Sequence, residues 1–218
     1  MTIFNDEERK AGTLILSQFK MFNEASAFFA QYIDPVFFNG FDNYFKQIAE
    51  RKNWVGEYEF NKKSCIWFSP KNWQLTVNEE KTKEWKYWFE TYYLLDDEID
   101  YRLSMLTNTS SKQSMFGIRF TVNSGWIGGN RCLNEFSKNI SSHHIDQLKE
   151  LGLTHQGKGN FFIPLKLEIE QIAACWKEFA SFSIEHDVFK PIDELMDKLE
   201  KSSTIFDEIF STVNPAQE

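Results

Sequence analysis

The sequence predicts an α+β fold: an antiparallel meander sheet of about six or seven strands, packed by two N-terminal and two C-terminal helices. Three observations predict it. Apolar residues recur at helical spacing at both ends of the chain, they alternate with period two in the middle, and 22 Phe, 7 Trp and 7 Tyr among 218 residues supply unusual bulk for a core between the layers. The chain reads as a single domain over 1–218, with helices over 6–53, a sheet over 55–123, a mixed region over 124–168 and helices over 169–211. It contains no linker, repeat or low-complexity stretch that would divide it.

From Asp6 to about Ile33, the positions Ile15, Phe19, Phe22, Ser26, Phe29 and Ile33 fall on one stripe of a first helix. Asp34-Pro35 marks a restart, with Asp34 placed to cap free amides and Pro35 suited to the first turn. Phe37, Phe38, Phe41, Tyr44, Phe45 and Ile48 line a second helix that ends near Asn53. After Trp54 the period shortens. The segments 57–60, 65–68, 73–77, 85–95, 101–106 and 115–122 read as short strands, separated by turn material such as Ser69-Pro70-Lys71-Asn72. In the last of them Phe116, Ile118, Phe120 and Val122 point to one face and Gly117, Arg119 and Thr121 to the other, as in an antiparallel sheet with one wet face.

One or two short helices are expected between Gly128 and Leu151, with Gly152 as a stop. Phe161 to Leu167 follows as a strand, placed at an edge or a bulge because Pro164 cannot donate to a ladder. Ile172, Cys175, Trp176, Phe179 and Phe182 make the next helical stripe, and Ile192, Leu195, Met196, Leu199, Ser203, Phe206 and Phe210 make the last. The long stripes at both ends should cover the sheet.

Composition narrows the function. A net charge of −8 argues against tracking a phosphate backbone with the whole surface, so direct nucleic-acid binding is disfavoured. Cys65, Cys132 and Cys175 are too dispersed for a disulfide framework or a metal knuckle, and a reducing cytoplasm fits them. The opening MTIFNDEERK has acids where a signal peptide needs a basic start, and no apolar run reaches the ~20 residues of a membrane span. A cytoplasmic protein without membrane contact is expected.

Catalytic signatures are weak. Glu84 and Lys86, with Glu57 and Glu59 on an earlier strand, could form the acid-x-Lys set of a metal-dependent nuclease, in which carboxylates hold a cation and a lysine orients water. The pattern also occurs at Glu8/Lys10 and Glu79/Lys81, no more often than chance supplies it. His143-His144, His155 and His186 do not make a chelating spacing, and Gly125 to Gly129 lacks a phosphate-cradle frame. Neither a metal nor a cofactor is predicted. Two features instead suggest recognition: the carboxylates Asp96, Asp97, Glu98 and Asp100, and the sheet indoles Trp67, Trp73, Trp85 and Trp88. Large rings appear on both faces of 85–95, with Trp85, Tyr87, Phe89 and Tyr93 on one and Trp88 and Tyr92 on the other. Either helices bury both faces, or one face offers its rings to a partner.

The order helix, helix, meander, helix, with FGIRF at 116–120, FFIPLKLE at 161–168 and WKEF at 176–179, resembles the aromatic-rich C-terminal region of bacterial PD-(D/E)XK-superfamily proteins found in mobile elements and defence loci. That family's catalytic strands and acid-x-Lys core have no counterpart here, so the resemblance carries over no catalytic residue. It implies a recognition or assembly module without the nuclease core. The leading expectation is therefore a non-enzymatic protein of bacterial or phage conflict: an immunity protein, an anti-defence inhibitor or a defence accessory. Its acidity suits a basic nucleic-acid-handling protein as partner. A divergent metal nuclease and a small-molecule or nucleotide binder are the alternatives, and the sequence leaves the oligomeric state open.

Overall fold

The computed structural model describes residues 4–75, 85–94, 101–110, 114–211 and 213. The chain opens with helices α1 (Asp6–Ser17) and α2 (Phe19–Phe28), a π-helical turn (Phe29–Ile33) and α3 (Asp34–Arg51). A capping box starts α1: the Asn5 side chain accepts from the Glu8 amide at 2.9 Å, and the Glu8 carboxylate accepts from the Asn5 amide at 2.7 Å. Helix α3 begins at Asp34 with Pro35 in its first turn, as expected, but the chain enters it through the π turn without leaving the helical path, so Asp34 does not cap it. Pro35 has no N–H for the helical ladder, and the chain accommodates it with a π turn in which the Asp34 amide reaches back to Phe29 O. No freed amides remain to cap, and the Asp34 side chain pairs with Arg102 instead.

Strand β1 (Trp54–Tyr58), the short helix α4 (Phe60–Lys63), β2 (Ile66–Pro70) and β3 (Tyr87–Leu94) follow, then α5 (Arg102–Leu106) and β4 (Met115–Val122). Helices α6 (Asn130–Lys138) and α7 (Ser142–Glu150) lead to the hairpin β5 (Thr154–Gly157) and β6 (Asn160–Pro164). Helices α8 (Ile169–Phe179) and α9 (Lys190–Phe210) complete the fold. All pairings are antiparallel, in the order β1-β2-β3-β4-β6-β5. The α+β class is therefore as expected, and β1 to β4 form the meander. The final hairpin departs from it, because β6 and not β5 lies on β4.

Three strand expectations change. Lys71–Trp73 forms a 3-10 turn, and of the described residues 73–75 only Gln74 makes a bridge, to Trp85; residues 76 and 77 of the expected strand lie outside the described residues. Residues 102–106 are helical although their alternation suits a strand. Arg102 donates to Phe60 O at 3.1 Å, ion-pairs with Asp34 and lies 4.3 Å over the Phe38 ring, and this tertiary clamp selects the helix. Pro164 is not on an edge strand. It closes β6, opposite Gly117, beyond the last residue that β5 pairs, so its missing N–H faces no ladder.

One face of the sheet carries the core. Phe68, Phe89, Phe116, Phe120 and Phe161 are fully or almost fully buried there, against Phe41 and Phe45 of α3 and Phe206 and Phe210 of α9. Phe120 and Phe206 stack face to face, with centroids 3.6 Å apart and planes 3° from parallel. Polar ties fix the two helices. Tyr44 OH donates to Asp193 at 2.6 Å, and Lys52 reaches Asp197 and Glu200, each at 2.7 Å. Burial opposes the Lys52 charge, but the two carboxylates outweigh it and raise its pKa.

At the other end of α9, Asp207 accepts from Trp73 Nε1 at 2.7 Å and Tyr87 OH at 2.9 Å. Burial, then the Asp207 charge and hydrogen bond, push the Tyr87 phenol far above its usual range, so it remains a donor at any physiological pH. Phe206→Ala should cost about 3–5 kcal/mol by opening a cavity between α9 and β4. Urea unfolding checks this; a loss below about 1 kcal/mol would show that the stack does not hold the layers together.

Candidate functional site

The opposite face of the sheet is where sequence and structure leave unspent chemistry. Helix rings reach the inner face alone; among the described residues the outer-face rings contact one another, Trp67 with Trp85 and Tyr92 with Phe162. Among the described residues, helices do not bury both faces of 85–94: Trp67, Trp88 and Tyr92 are half-buried and accessible. Tyr87, Phe89 and Tyr93 point inward as expected. Trp85 does not join them: Lys86 forms a bend ahead of β3 and the indole packs edge-on against Trp67, with centroids 5.6 Å apart, where it is itself buried at 8% exposure and leaves Trp67 and Trp88 as the accessible indoles.

Register builds the rest. Glu57 of β1 lies opposite Trp67 of β2, Trp67 opposite Glu90 of β3, and Glu90 opposite Arg119 of β4. Trp67 therefore sits between two carboxylates on neighbouring strands. Glu90 Oε1 accepts from Arg119 Nε at 3.1 Å and Thr121 Oγ1 at 2.8 Å, while Oε2 accepts from Trp88 Nε1 at 3.0 Å. The Arg119 guanidinium lies 3.8 Å over the Tyr92 ring. Beside that stack, Gly117 leaves the space that Phe162 fills; a Cβ there would lie 2.1 Å from Ile163 O. Each polar group thus holds an aromatic ring in place. Trp67, Trp85 and Trp88, with Cys65, Glu90 and Asn123, surround a recess of about 310 Å³. Asn123 is committed to the loop, its Nδ2 donating to Trp85 O at 3.1 Å and its Oδ1 accepting from the Gly125 amide at 2.9 Å. The free surface of the recess is mainly indole.

Other candidate residues fare differently. Trp73 is 1% exposed and tied to Asp207, so it belongs to the core and leaves the recognition surface. Glu57 and Glu59 both pair with Lys63, at 3.5 and 2.6 Å, and line an open groove of about 720 Å³ along β1 together with Lys46, Glu50 and Lys71. Lys63 lowers the Glu59 pKa, and the groove's mixed charges offset one another. Lys86 lines a different recess, beside Asp207 and Trp126, so it is not brought together with Glu57 and Glu59. Glu84 lies outside the described residues, as do Asp96, Asp97, Glu98 and Asp100. Among the described residues no group of three His, Cys, Asp or Glu side chains has the geometry to hold a metal ion. His155 packs on Phe161 and its Nε2 bonds Ser137, which places it in the β5–β6 hairpin and not with another histidine.

The fold also makes one juxtaposition that spacing along the chain did not reveal. Cys175 Sγ lies 3.1 Å from His186 Nδ1. A Cys-His pair can generate a thiolate nucleophile, but this one is built differently. His186 Nδ1 already accepts from the Ser183 amide at 3.1 Å, Phe179 stacks on the ring at 4.2 Å, and burial, then the Glu178 charge, push the thiol pKa up. The thiol also donates to Ser181 O at 3.4 Å, so it is held as a packed donor and not as an activated nucleophile. Thiol titration of the native protein should show Cys132, which is exposed, reacting first, and Cys175 reacting only on unfolding. A fast phase abolished by Cys175→Ser would instead mark an activated nucleophile. Among the described residues, no helix is long and apolar enough to cross a membrane. Comparisons with protein-family models, with curated proteins and with solved structures find no match for this chain.

Proposed function

We propose that this chain is a non-enzymatic binding protein that takes a protein partner on the open face of its sheet, by accepting a cationic side chain among Trp67, Trp85 and Trp88. The observation that carries this reading is the recess itself, lined by the three indoles Trp67, Trp85 and Trp88 and by Glu90, with Glu57 opposite Trp67 on the neighbouring strand. Indole faces attract guanidinium and ammonium groups, and with Glu90 and Glu57 already paired to Arg119 and Lys63 it is the rings that carry the attraction. Rigid aromatic anchors of this type concentrate binding energy at protein interfaces. The same carboxylates disfavour a phosphate backbone, and Arg119 is already engaged with Glu90, so base stacking by a nucleic acid has little support.

A role in bacterial or phage conflict, as immunity protein, inhibitor or defence accessory, is consistent with this chemistry. Proteins that handle nucleic acids carry basic grooves, and an acidic aromatic face suits them. The acidic stretch from Asp96 to Asp100 follows directly on β3, the strand that carries Trp88 and Glu90.

An arginine-rich peptide titrated against the intact chain tests the recess through tryptophan fluorescence. Wild-type protein should bind it, and Trp88→Ala should weaken binding by about thirtyfold, the cost of a ~2 kcal/mol anchor, with the melting temperature little changed. A lysate partner identified on the same bait should be lost from Trp67→Ala and Trp88→Ala together. Unchanged affinity in both variants would overturn the reading.

A further inference from the structure

Arg119 shows how the open face of the sheet holds a cation that brings N–H donors with it. Its guanidinium lies 3.8 Å over the Tyr92 ring, and its Nε donates to Glu90 Oε1 at 3.1 Å. Arg119 Nη2 and Thr121 Oγ1 donate to the same oxygen, which leaves it no further acceptor capacity. The other oxygen, Oε2, accepts from Trp88 Nε1 at 3.0 Å. The remaining polar groups of the Trp recess are engaged as well. Asn123 Oδ1 accepts from the Gly125 amide at 2.9 Å and the Trp126 amide at 3.4 Å, while its Nδ2 donates to Trp85 O. Burial, then the Glu90 charge, raise the Cys65 pKa, so the sulfur is a neutral thiol and a weak acceptor. Among the side chains that line the recess, Glu90 Oε2 is therefore the one strong acceptor with a lone pair to spare.

We propose that the recess takes a quaternary ammonium group, the trimethylated ε-nitrogen of a lysine on the protein partner. This rests on the reading of the recess as a socket for a cationic side chain, and names the cation that fits it. A guanidinium or a lysine ammonium carries several N–H donors, and burial against indole leaves most of them without a partner. The ammonium is also a compact, strongly hydrated charge. Glu90 and Glu57 are paired to Arg119 and Lys63, so neither carboxylate is free to replace that lost water. A trimethylated nitrogen has no donor to leave unpaired, keeps its charge, and presents methyl groups that pack on ring faces. Trp67 and Trp88 offer accessible ring surface for it, and Trp85 lines the recess edge-on against Trp67. Size agrees. The recess of about 310 Å³ is at the lower bound of the roughly 300–1,000 Å³ of small-molecule sites, room for a head group and the end of its stem.

Calorimetric titration of the intact chain checks this with a set of peptides that differ only in the methylation of a single lysine. Affinity should rise with each methyl group, and the trimethylated peptide should bind about tenfold tighter than the unmethylated one or its arginine counterpart. A peptide with the neutral tert-butyl isostere should fall back by a similar factor, because it has the shape without the charge. Trp88→Phe keeps a ring with a weaker π face, so it should reduce binding of the trimethylated peptide more than of the unmethylated one, at an unchanged melting temperature. Flat affinity across the methylation series overturns the proposal, as does equal binding of the neutral isostere. So does binding to phosphatidylcholine vesicles without binding to the trimethylated peptide. If arginine and unmethylated lysine peptides bind through Trp88 and methylation adds nothing, the cationic socket stands and this inference falls. If no cationic peptide binds, both fall.

Discussion

The contact on which the structure depends is the stack of Phe206 on Phe120. It joins the C-terminal part of α9 to the C-terminal half of β4, a strand paired on both sides, and Phe89 and Phe161 from the neighbouring strands β3 and β6 close around it. An aromatic pair in isolation prefers an offset or edge-on geometry to a face-to-face sandwich, so the surrounding rings hold this one in place. Around it most inner-face rings meet at edge or tilt, while Trp54 stacks on Phe68 and Phe89 and Tyr87 stacks on Phe210, filling the space between sheet and helices with large, stiff groups. The polar ties of Asp193, Asp197 and Asp207 stand along one side of α9 and set its rotation. With α9 fixed, the sheet has one covered face, and its other face is defined by default.

That asymmetry connects packing to recognition. Because the helices that reach the sheet stand on one side, the alternate residues of β2 and β3 have no helix to cover them, and Trp67, Trp88 and Tyr92 remain accessible. Hydrogen bonds from Trp88 and Arg119 to Glu90 hold the rings of this face in position, and the binding proposed for it would carry a lower ordering cost for that reason. The Cys175–His186 contact is the opposite case. Residue types suited to catalysis meet, but burial keeps the thiol protonated, so proximity alone makes no nucleophile.

Much of the fold was legible from periodicity. The stripes of α3 and α9 and the alternation of β4 follow from geometry at the scale of a few residues, and the structure returns them almost unchanged. The failures share one cause. Residues 101–106 alternate like a strand but are clamped as a helix by Arg102 through Asp34, Phe38 and Phe60, partners more than 40 positions away. Trp85 belongs to the right segment but turns to the other face, because a bend at Lys86 breaks a parity that only an unbroken strand would keep. The first helix is broken at Gln18 into α1 and α2, and among the described residues neither buries a side chain on the sheet: periodicity identifies an apolar face without naming what lies against it.

By itself, then, the sequence determined the class of the fold, the helices and most strands, and the presence of more indole than the core required, since each depends on local spacing and composition. Only the tertiary structure decided which indoles are which. Trp73 was drawn into the core by Asp207 of α9, while Trp67, Trp85 and Trp88 came together around one recess with Glu57 and Glu90 beside them. Those outcomes depend on strand register and on hydrogen bonds between residues up to 134 positions apart, and no pattern confined to a short window carries that information.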